Sequence, residues 1–164
     1  MNLNQIRLAG EIESDNIVNG EGLRTVIWCQ GCRLHCNGCH NPESWDENGG
    51  ELFEIEEIKK QLKIIKGQTG LTFCGGEPML QSLACKEISE WVKKELGWSV
   101  WCFTGYLYED LKKEGGDRWE FIKTLDVLID GPFVLAEKDL SLKFRGSRNQ
   151  RLIRLNKGEI LKIE

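Results

Sequence analysis

Four short apolar runs, each running into a loop rich in glycine or cysteine, constrain this chain more than any other feature of it. LRTVIWC (Leu23 to Cys29), LTFCGG (Leu71 to Gly76), WSVWCFTG (Trp98 to Gly105) and DVLIDG (Asp126 to Gly131) are β-branched and aromatic, which reads as strands. Between them, apolar residues recur at helical spacing. Ile55, Ile58, Leu62 and Ile65 do so among Glu and Lys, with Gly67 and Gly70 bracketing the stop. Ala84, Ile88, Trp91 and Val92 do so again, ending near Gly97. One or two helical stretches cover Leu107 to Thr124, and RLIRLNKGEILKIE reads as a terminal hairpin turning at Asn156–Gly158. The segment NPESWDENGGEL is turn-rich. Strands separated by helices imply βα units and a largely parallel sheet. Such sheets bind ligands beyond the carboxyl ends of their strands. The cysteine loop after Cys29, the pair Gly75–Gly76 and the pair Thr104–Gly105 are therefore expected on one edge.

The 164 residues suffice for one domain, 1–164, with a single substantial core. A formal net charge of −4 with no basic stripe argues against a nucleic-acid partner. No apolar stretch approaches the ~20 residues that span a bilayer. MNLNQIRLAGEIES has no basic region followed by an apolar one, so a cytoplasmic location is expected. Thiols there are kept reduced, and a disulfide framework among the seven cysteines is not expected. Cys74, Cys85 and Cys102 lie among apolar residues and read as small buried hydrophobes.

Cys29, Cys32, Cys36 and Cys39 are different, because their neighbours in CQGCRLHCNGCH are Gly, Asn, His and Arg. Structural zinc prefers two CxxC knuckles separated by a longer stretch, and here only three residues separate the pairs. A bacterial ferredoxin run has a different spacing and a proline after its last cysteine. A CxxC redox pair leaves the other cysteines without a role. The remaining reading is C-x3-C-x2-C, with Cys32, Cys36 and Cys39 holding three irons of a [4Fe-4S] cube. The fourth iron then has no protein ligand, and an open coordination position marks catalysis rather than structure.

C-x3-C-x2-C in a loop after the first strands resembles the radical S-adenosylmethionine enzymes. VNGEGLR (Val18 to Arg24), CGGEP (Cys74 to Pro78), FTGY (Phe103 to Tyr106), LIDGPF (Leu128 to Phe133) and RGSRNQR (Arg145 to Arg151) follow in an order similar to one branch of that family. That branch contains the activating proteins of anaerobic ribonucleoside-triphosphate reductase. The resemblance covers nearly the whole chain. Cys29 lies outside the three-cysteine motif, and Cys74 stands where Ser is common.

The resemblance implies an enzyme with two cofactors, the [4Fe-4S] cluster on Cys32, Cys36 and Cys39 and S-adenosylmethionine chelated to the open iron. Reduction of the sulfonium by the cluster gives methionine and a 5′-deoxyadenosyl radical. Gly38, Cys39, His40, Gly75, Gly76, Glu77 and Thr104 are implied as cofactor contacts, His40 lying against the adenine. Gly105, Asp130 and Asn149 are weaker candidates. Without Cβ atoms, Gly75 and Gly76 let a strand end approach the methionine amine. The implied fold is α/β, an incomplete radical-SAM βα barrel: an open, curved, mostly parallel sheet with outer helices. The chain has too few βα units for the full barrel, which needs ~200 residues or more. The implied partners are the reductase, which receives a glycyl radical, and a low-potential donor such as flavodoxin or ferredoxin. Arg24, Trp45 and RGSRNQR are expected at the partner interface. Two other readings stay open: a small-molecule enzyme similar to 7-carboxy-7-deazaguanine synthase, suggested by NGEGLR, and a non-enzymatic iron–sulfur or zinc module.

Overall fold

The computed structural model describes residues 3–164. In chain order the strands and α-helices are β1 (Gln5–Leu8), β2 (Glu13–Asn16), β3 (Arg24–Cys29), β4 (Glu51–Glu54), α1 (Ile55–Ile64), β5 (Gly70–Gly75), α2 (Ser82–Trp91), β6 (Ser99–Phe103), α3 (Tyr108–Glu114), α4 (Gly116–Ile122), β7 (Val127–Asp130), β8 (Arg151–Asn156) and β9 (Glu159–Ile163). All the strands join one sheet in the order β4-β1-β3-β5-β6-β7-β8-β9, with β2 added on β3. Strands β3, β5, β6 and β7 run parallel. Antiparallel strands flank them on both sides. The two ends of the order do not pair, so the sheet stays open as expected for an incomplete barrel.

The central strands are nearly continuous apolar runs because both their faces are covered. Successive side chains on a strand point to opposite faces. Ile27, Phe73, Val100, Cys102 and Leu128 join the large core, which takes in Ile58 and Leu62 of α1, Cys85 and Ile88 of α2, and Phe121 of α4. Phe73 and Phe121 meet edge to face at 5.5 Å. Trp101, Val127, Ile129 and Leu152 form a smaller cluster with Phe103 and Phe144. The helix α2 continues through a wide turn, Val92–Leu96, and stops at Gly97, whose φ of 67° is the left-handed cap a glycine supplies most easily.

Strands β1, β2 and β4 carry no strand signal in the sequence. Each has four residues, and β2 reads ESDN with three of its four residues exposed. β2 and β4 form because the edges of β3 and β1 offer unpaired backbone groups, whereas β1 also buries Ile6 and Leu8 in the core.

Arg24 corrects an expectation. It opens β3, at the end of the parallel strands opposite the cysteine loop, and it is 1% exposed. Its guanidinium donates to Thr72 Oγ1 (2.8 Å), Ser99 Oγ (3.0 Å) and the carbonyls of Glu21 (3.1 Å), Leu71 (2.8 Å) and Ser99 (3.0 Å). It also lies over the Trp101 ring at 5.3 Å. Burial lowers its pKa to about 10. Arg24 is an interior brace and offers nothing to a partner.

Candidate active site

The parallel register aligns the carboxyl ends of the central strands. Cys29 stands beside Gly75, and Phe73 beside Cys102. The loops leaving those ends enclose a cavity of about 140 Å³. Cys32, Cys36 and Cys39 line it from the loop after β3. Gly75, Gly76 and Glu77 contribute from β5, and Phe103, Thr104 and Gly105 from β6. Gly131 and Phe133 follow β7, and Gln150 precedes β8. The convergence expected of three loops is therefore one of four, with part of the RGSRNQR stretch added.

Backbone hydrogen bonds set the course of the cysteine loop. Gly31 N–H donates to the Ser44 carbonyl (2.7 Å) and Cys32 N–H to that of Trp45 (3.1 Å). Gly76 N–H donates to Cys29 (2.7 Å) and Glu77 N–H to Gly31 (2.7 Å), which stitches the start of the loop to the end of β5. The buried side chain of Gln30 donates to the carbonyls of Glu43 (3.2 Å) and Asp46 (2.7 Å), and Gln81 donates to the Gln30 carbonyl (3.2 Å). Neither glutamine stands out in the sequence, because a polar residue just after a strand (Gln30) or just before a helix (Gln81) has no period to betray it.

All seven cysteines are free. Cys29, Cys85 and Cys102 are fully buried, as expected. Cys74 is only partly buried, with Asn19 Nδ2 3.8 Å from its sulfur. Cys32, Cys36 and Cys39 are partly accessible. Burial raises the Cys32 pKa, opposed by the N–H groups of Leu34 and His35. The Asn41 N–H donates to the Cys39 sulfur at 3.4 Å.

The glycine pair is explained by its own neighbours. Gly75 has φ of +100°, and a Cβ there would lie 2.6 Å from the Cys29 nitrogen and oxygen. A Cβ on Gly76 would strike the Gly31 carbonyl oxygen and come within 3.0 Å of the Ser44 oxygen. The two glycines let β5 press directly against the cysteine loop.

Glu77 is 1% exposed. Its carboxylate accepts from Thr104 Oγ1 (2.8 Å), Gly105 N–H (2.8 Å) and Met79 N–H (3.0 Å). Burial raises its pKa against the pull of those donors. Both oxygens are engaged, so Glu77 lines the cavity as a joint between β5 and β6. Gly38 and His40 are exposed and lie beside the cavity lining, against the loop after β7: His40 and Phe133 rings are 5.8 Å apart. Asp130, buried at the end of β7, accepts from Tyr108 N–H (2.8 Å) and from Arg151 (2.9 Å), and Arg151 also grips Glu109. It is a structural tie. Asn149 donates to the Pro132 carbonyl (2.7 Å). Trp45 lies partly buried at the cavity, its ring stacked on His35 at 4.4 Å.

Among the described residues no helix is long and apolar enough to cross a membrane. Nor do any three Cys, His, Asp or Glu side chains among them gather closely enough to share a single metal ion.

Residues 18–153 match the family described as a 4Fe-4S single cluster domain. The anaerobic ribonucleoside-triphosphate reductase-activating protein of Enterobacteria phage T4 is 37% identical over 145 residues, 84% of this chain and 87% of that protein. The pyruvate formate-lyase-activating enzyme of Clostridium pasteurianum is 35% identical over 123 residues, 72% of this chain and 49% of that enzyme. Among solved structures, QueE from Escherichia coli aligns with a TM-score of 0.52 at 17% identity. That alignment covers 62% of this chain and 52% of QueE, and it is a likeness of fold.

Proposed function

Since the chain belongs to the family of anaerobic ribonucleoside-triphosphate reductase-activating proteins, enzymes of the radical S-adenosylmethionine superfamily, we propose that it places a glycyl radical on an anaerobic ribonucleoside-triphosphate reductase. The observation that carries this reading is that three free cysteines, Cys32, Cys36 and Cys39, line one cavity together with the strand-end residues Gly75, Gly76, Thr104 and Gly105.

The residues fit a [4Fe-4S] cluster. The donors are soft thiols, the ligands such clusters take. In a cube each thiolate holds its own iron, which suits sulfurs that share a cavity without converging on one ion. Three such donors leave the fourth iron to S-adenosylmethionine. When bound, the reduced cluster and S-adenosylmethionine together supply the 5′-deoxyadenosyl radical and release methionine. The chain supplies position. Gly75 and Gly76 present backbone where a methionine amine and carboxylate would lie. Leu34, Phe103 and Phe133 line the cavity with apolar surface and help exclude water. The glycine Cα of the reductase would give up one hydrogen atom, carried away in 5′-deoxyadenosine, and keep a radical delocalised over two amides. The open sheet leaves the cavity accessible to a loop of another chain, and a low-potential flavodoxin or ferredoxin serves as donor.

The test mixes the anaerobically reconstituted protein, a reductant, S-adenosylmethionine and the candidate reductase, and looks for a glycyl radical by electron paramagnetic resonance. Formation of 5′-deoxyadenosine with no glycyl signal, but with turnover of a pterin, transfers the protein to the small-molecule branch.

A further inference from the structure

The RGSRNQR stretch has no part in the site described so far beyond one lining residue, yet three of its side chains, those of Ser147, Asn149 and Gln150, bond one short segment, residues 131–134. Ser147 is fully buried. Its hydroxyl accepts from Val134 N–H at 3.2 Å. Asn149 Nδ2 donates to the Pro132 carbonyl at 2.7 Å, and Gln150 Nε2 donates to the Gly131 carbonyl at 3.0 Å. Gln150 Oε1 in turn accepts from the N–H groups of Gly146 (2.8 Å) and Ser147 (3.2 Å), which holds its own turn in shape. Residues 131, 132 and 134 are thus each tied by a separate side chain. The residue they surround, Phe133, makes no use of the clamp itself.

Phe133 is instead fixed by contact. A Cβ on Gly146 would lie 3.1 Å from its ring, and a Cβ on Gly38 would lie 3.3 Å from it. Two glycines from opposite sides therefore leave just the room the ring fills. Its third neighbour is the His40 imidazole, at 5.8 Å and tilted by 50°. The ring lines the same cavity as Gly75 and Gly76. A flat apolar ring held this firmly at the rim of a cavity, beside an imidazole, is a surface for another flat ring. Aromatic side chains stack on bases without regard to which base is present.

We propose that Phe133 is a second aromatic contact for the adenine of S-adenosylmethionine, alongside His40, and that Ser147, Asn149 and Gln150 are positioning residues that hold Phe133 there. The inference rests on the functional reading above, in that it takes the nucleoside of that cofactor as the ligand.

The experiment measures binding of S-adenosylmethionine to the cluster-loaded protein by equilibrium dialysis, together with iron per chain and hydrogen exchange across residues 131–137. Phe133→Ala is expected to weaken binding about 5- to 150-fold, the range for losing one base-stacking ring, with iron content unchanged. Phe133→Leu, which keeps apolar volume under Gly38 and Gly146, is expected to weaken binding while leaving the fold intact. Phe133→Tyr is expected to retain wild-type affinity. Gln150→Ala is expected to speed exchange at 131–134 and to weaken binding about 2- to 10-fold, as for one lost hydrogen bond. If Phe133→Leu binds as well as wild type, the ring has no part in recognition and the inference falls alone. Loss of iron in Phe133→Leu also overturns it, by making the ring a support for the cysteine loop. If wild type itself, with its cluster in place, does not bind S-adenosylmethionine, the functional reading falls first.

Discussion

Thr104 donates its hydroxyl to Glu77 at 2.8 Å, and the neighbouring Gly105 N–H donates to the other oxygen of the same carboxylate at 2.8 Å. The loops after β5 and β6 are thereby joined through one buried group beneath the cavity. Thr104→Val keeps the shape of the side chain and removes the donor. The expected cost is about 1.5–3 kcal/mol, the range for a hydrogen bond to a charged group. Urea unfolding of the cluster-free protein reads it as a lower midpoint at constant slope. An unchanged midpoint would show that the joint contributes nothing.

The same carboxylate gives a pH dependence whose sign is fixed by its environment. Burial raises the Glu77 pKa above its ordinary value of 4.5. The native state therefore holds this proton more tightly than the unfolded chain. Stability is greatest, as far as this group is concerned, below its unfolded pKa, and falls as pH rises toward the raised value. Glu77→Gln lacks the titration. The difference in unfolding free energy between wild type and Glu77→Gln is expected to shift against wild type as pH increases from 4.5 upward. A difference that is flat with pH would mean that Glu77 titrates normally.

Gly76 offers a test that separates two reasons for a glycine. Access for a cofactor amine is one requirement on Gly75 and Gly76. The structure adds an earlier requirement, since a Cβ on Gly76 would run into the Gly31 carbonyl at the root of the cysteine loop. Backbone cannot give way as a flexible side chain can. Gly76→Val is therefore expected to lower stability by more than about 1 kcal/mol and to reduce iron uptake on reconstitution, before any question of cofactor binding arises. Full iron uptake with weakened S-adenosylmethionine binding would return the glycine to the cofactor alone.

The parallel strands β3, β5, β6 and β7 were legible because buried strands must be apolar throughout and glycine must follow where their loops crowd together. The three thiols were legible from spacing. What was not legible depended on partners distant in sequence. β2 is a strand through its pairing with β3, although ESDN has nothing apolar in it. Arg24 reads as a surface charge until Thr72, Leu71, Ser99 and Glu21 are seen to receive its donors. Phe133 looks like one more apolar residue after a strand, and only Gly38, Gly146 and Gln150 together show that its position is specified. A single sequence holds the identity of such residues but not their juxtaposition.

Arg24 supplies a prediction of the opposite kind from those at the cavity. Arg24→Ala leaves the carbonyls of Leu71 and Ser99 and the hydroxyl of Thr72 without their donor in the interior. Unsatisfied buried acceptors cost about 1–3 kcal/mol each, so the loss is expected to be on the order of 3 kcal/mol or more. A thermal melt measures it. Because Arg24 lies at the far end of β3 from the cysteine loop, protein that remains folded at low temperature is expected to take up iron as wild type does. Wild-type thermal stability combined with weaker binding of the reductase would put Arg24 back at an interface.

The cysteines allow the ligand set to be tested one thiol at a time. Cys85 and Cys102 have pKa values pushed well above the ordinary thiol value by burial, and Cys74 is pushed up to about 12. Burial raises Cys32 as well, so it is position in the cavity, from which these three thiols are absent, that separates the two sets. Cys29 is fully buried as the last residue of β3. Cys32, Cys36 and Cys39 alone among the seven share the cavity. Alanine at any one of these three is expected to abolish most iron and sulfide uptake during anaerobic reconstitution while leaving the melting temperature of the cluster-free protein nearly unchanged. Alanine at Cys29, Cys85 or Cys102 is expected to do the reverse, with iron retained and stability lowered by about 1 kcal/mol, as for a small deletion in a packed core. Loss of iron on Cys29→Ala with retention on Cys32→Ala would move the ligand register back by one cysteine and restore the paired CxxC reading.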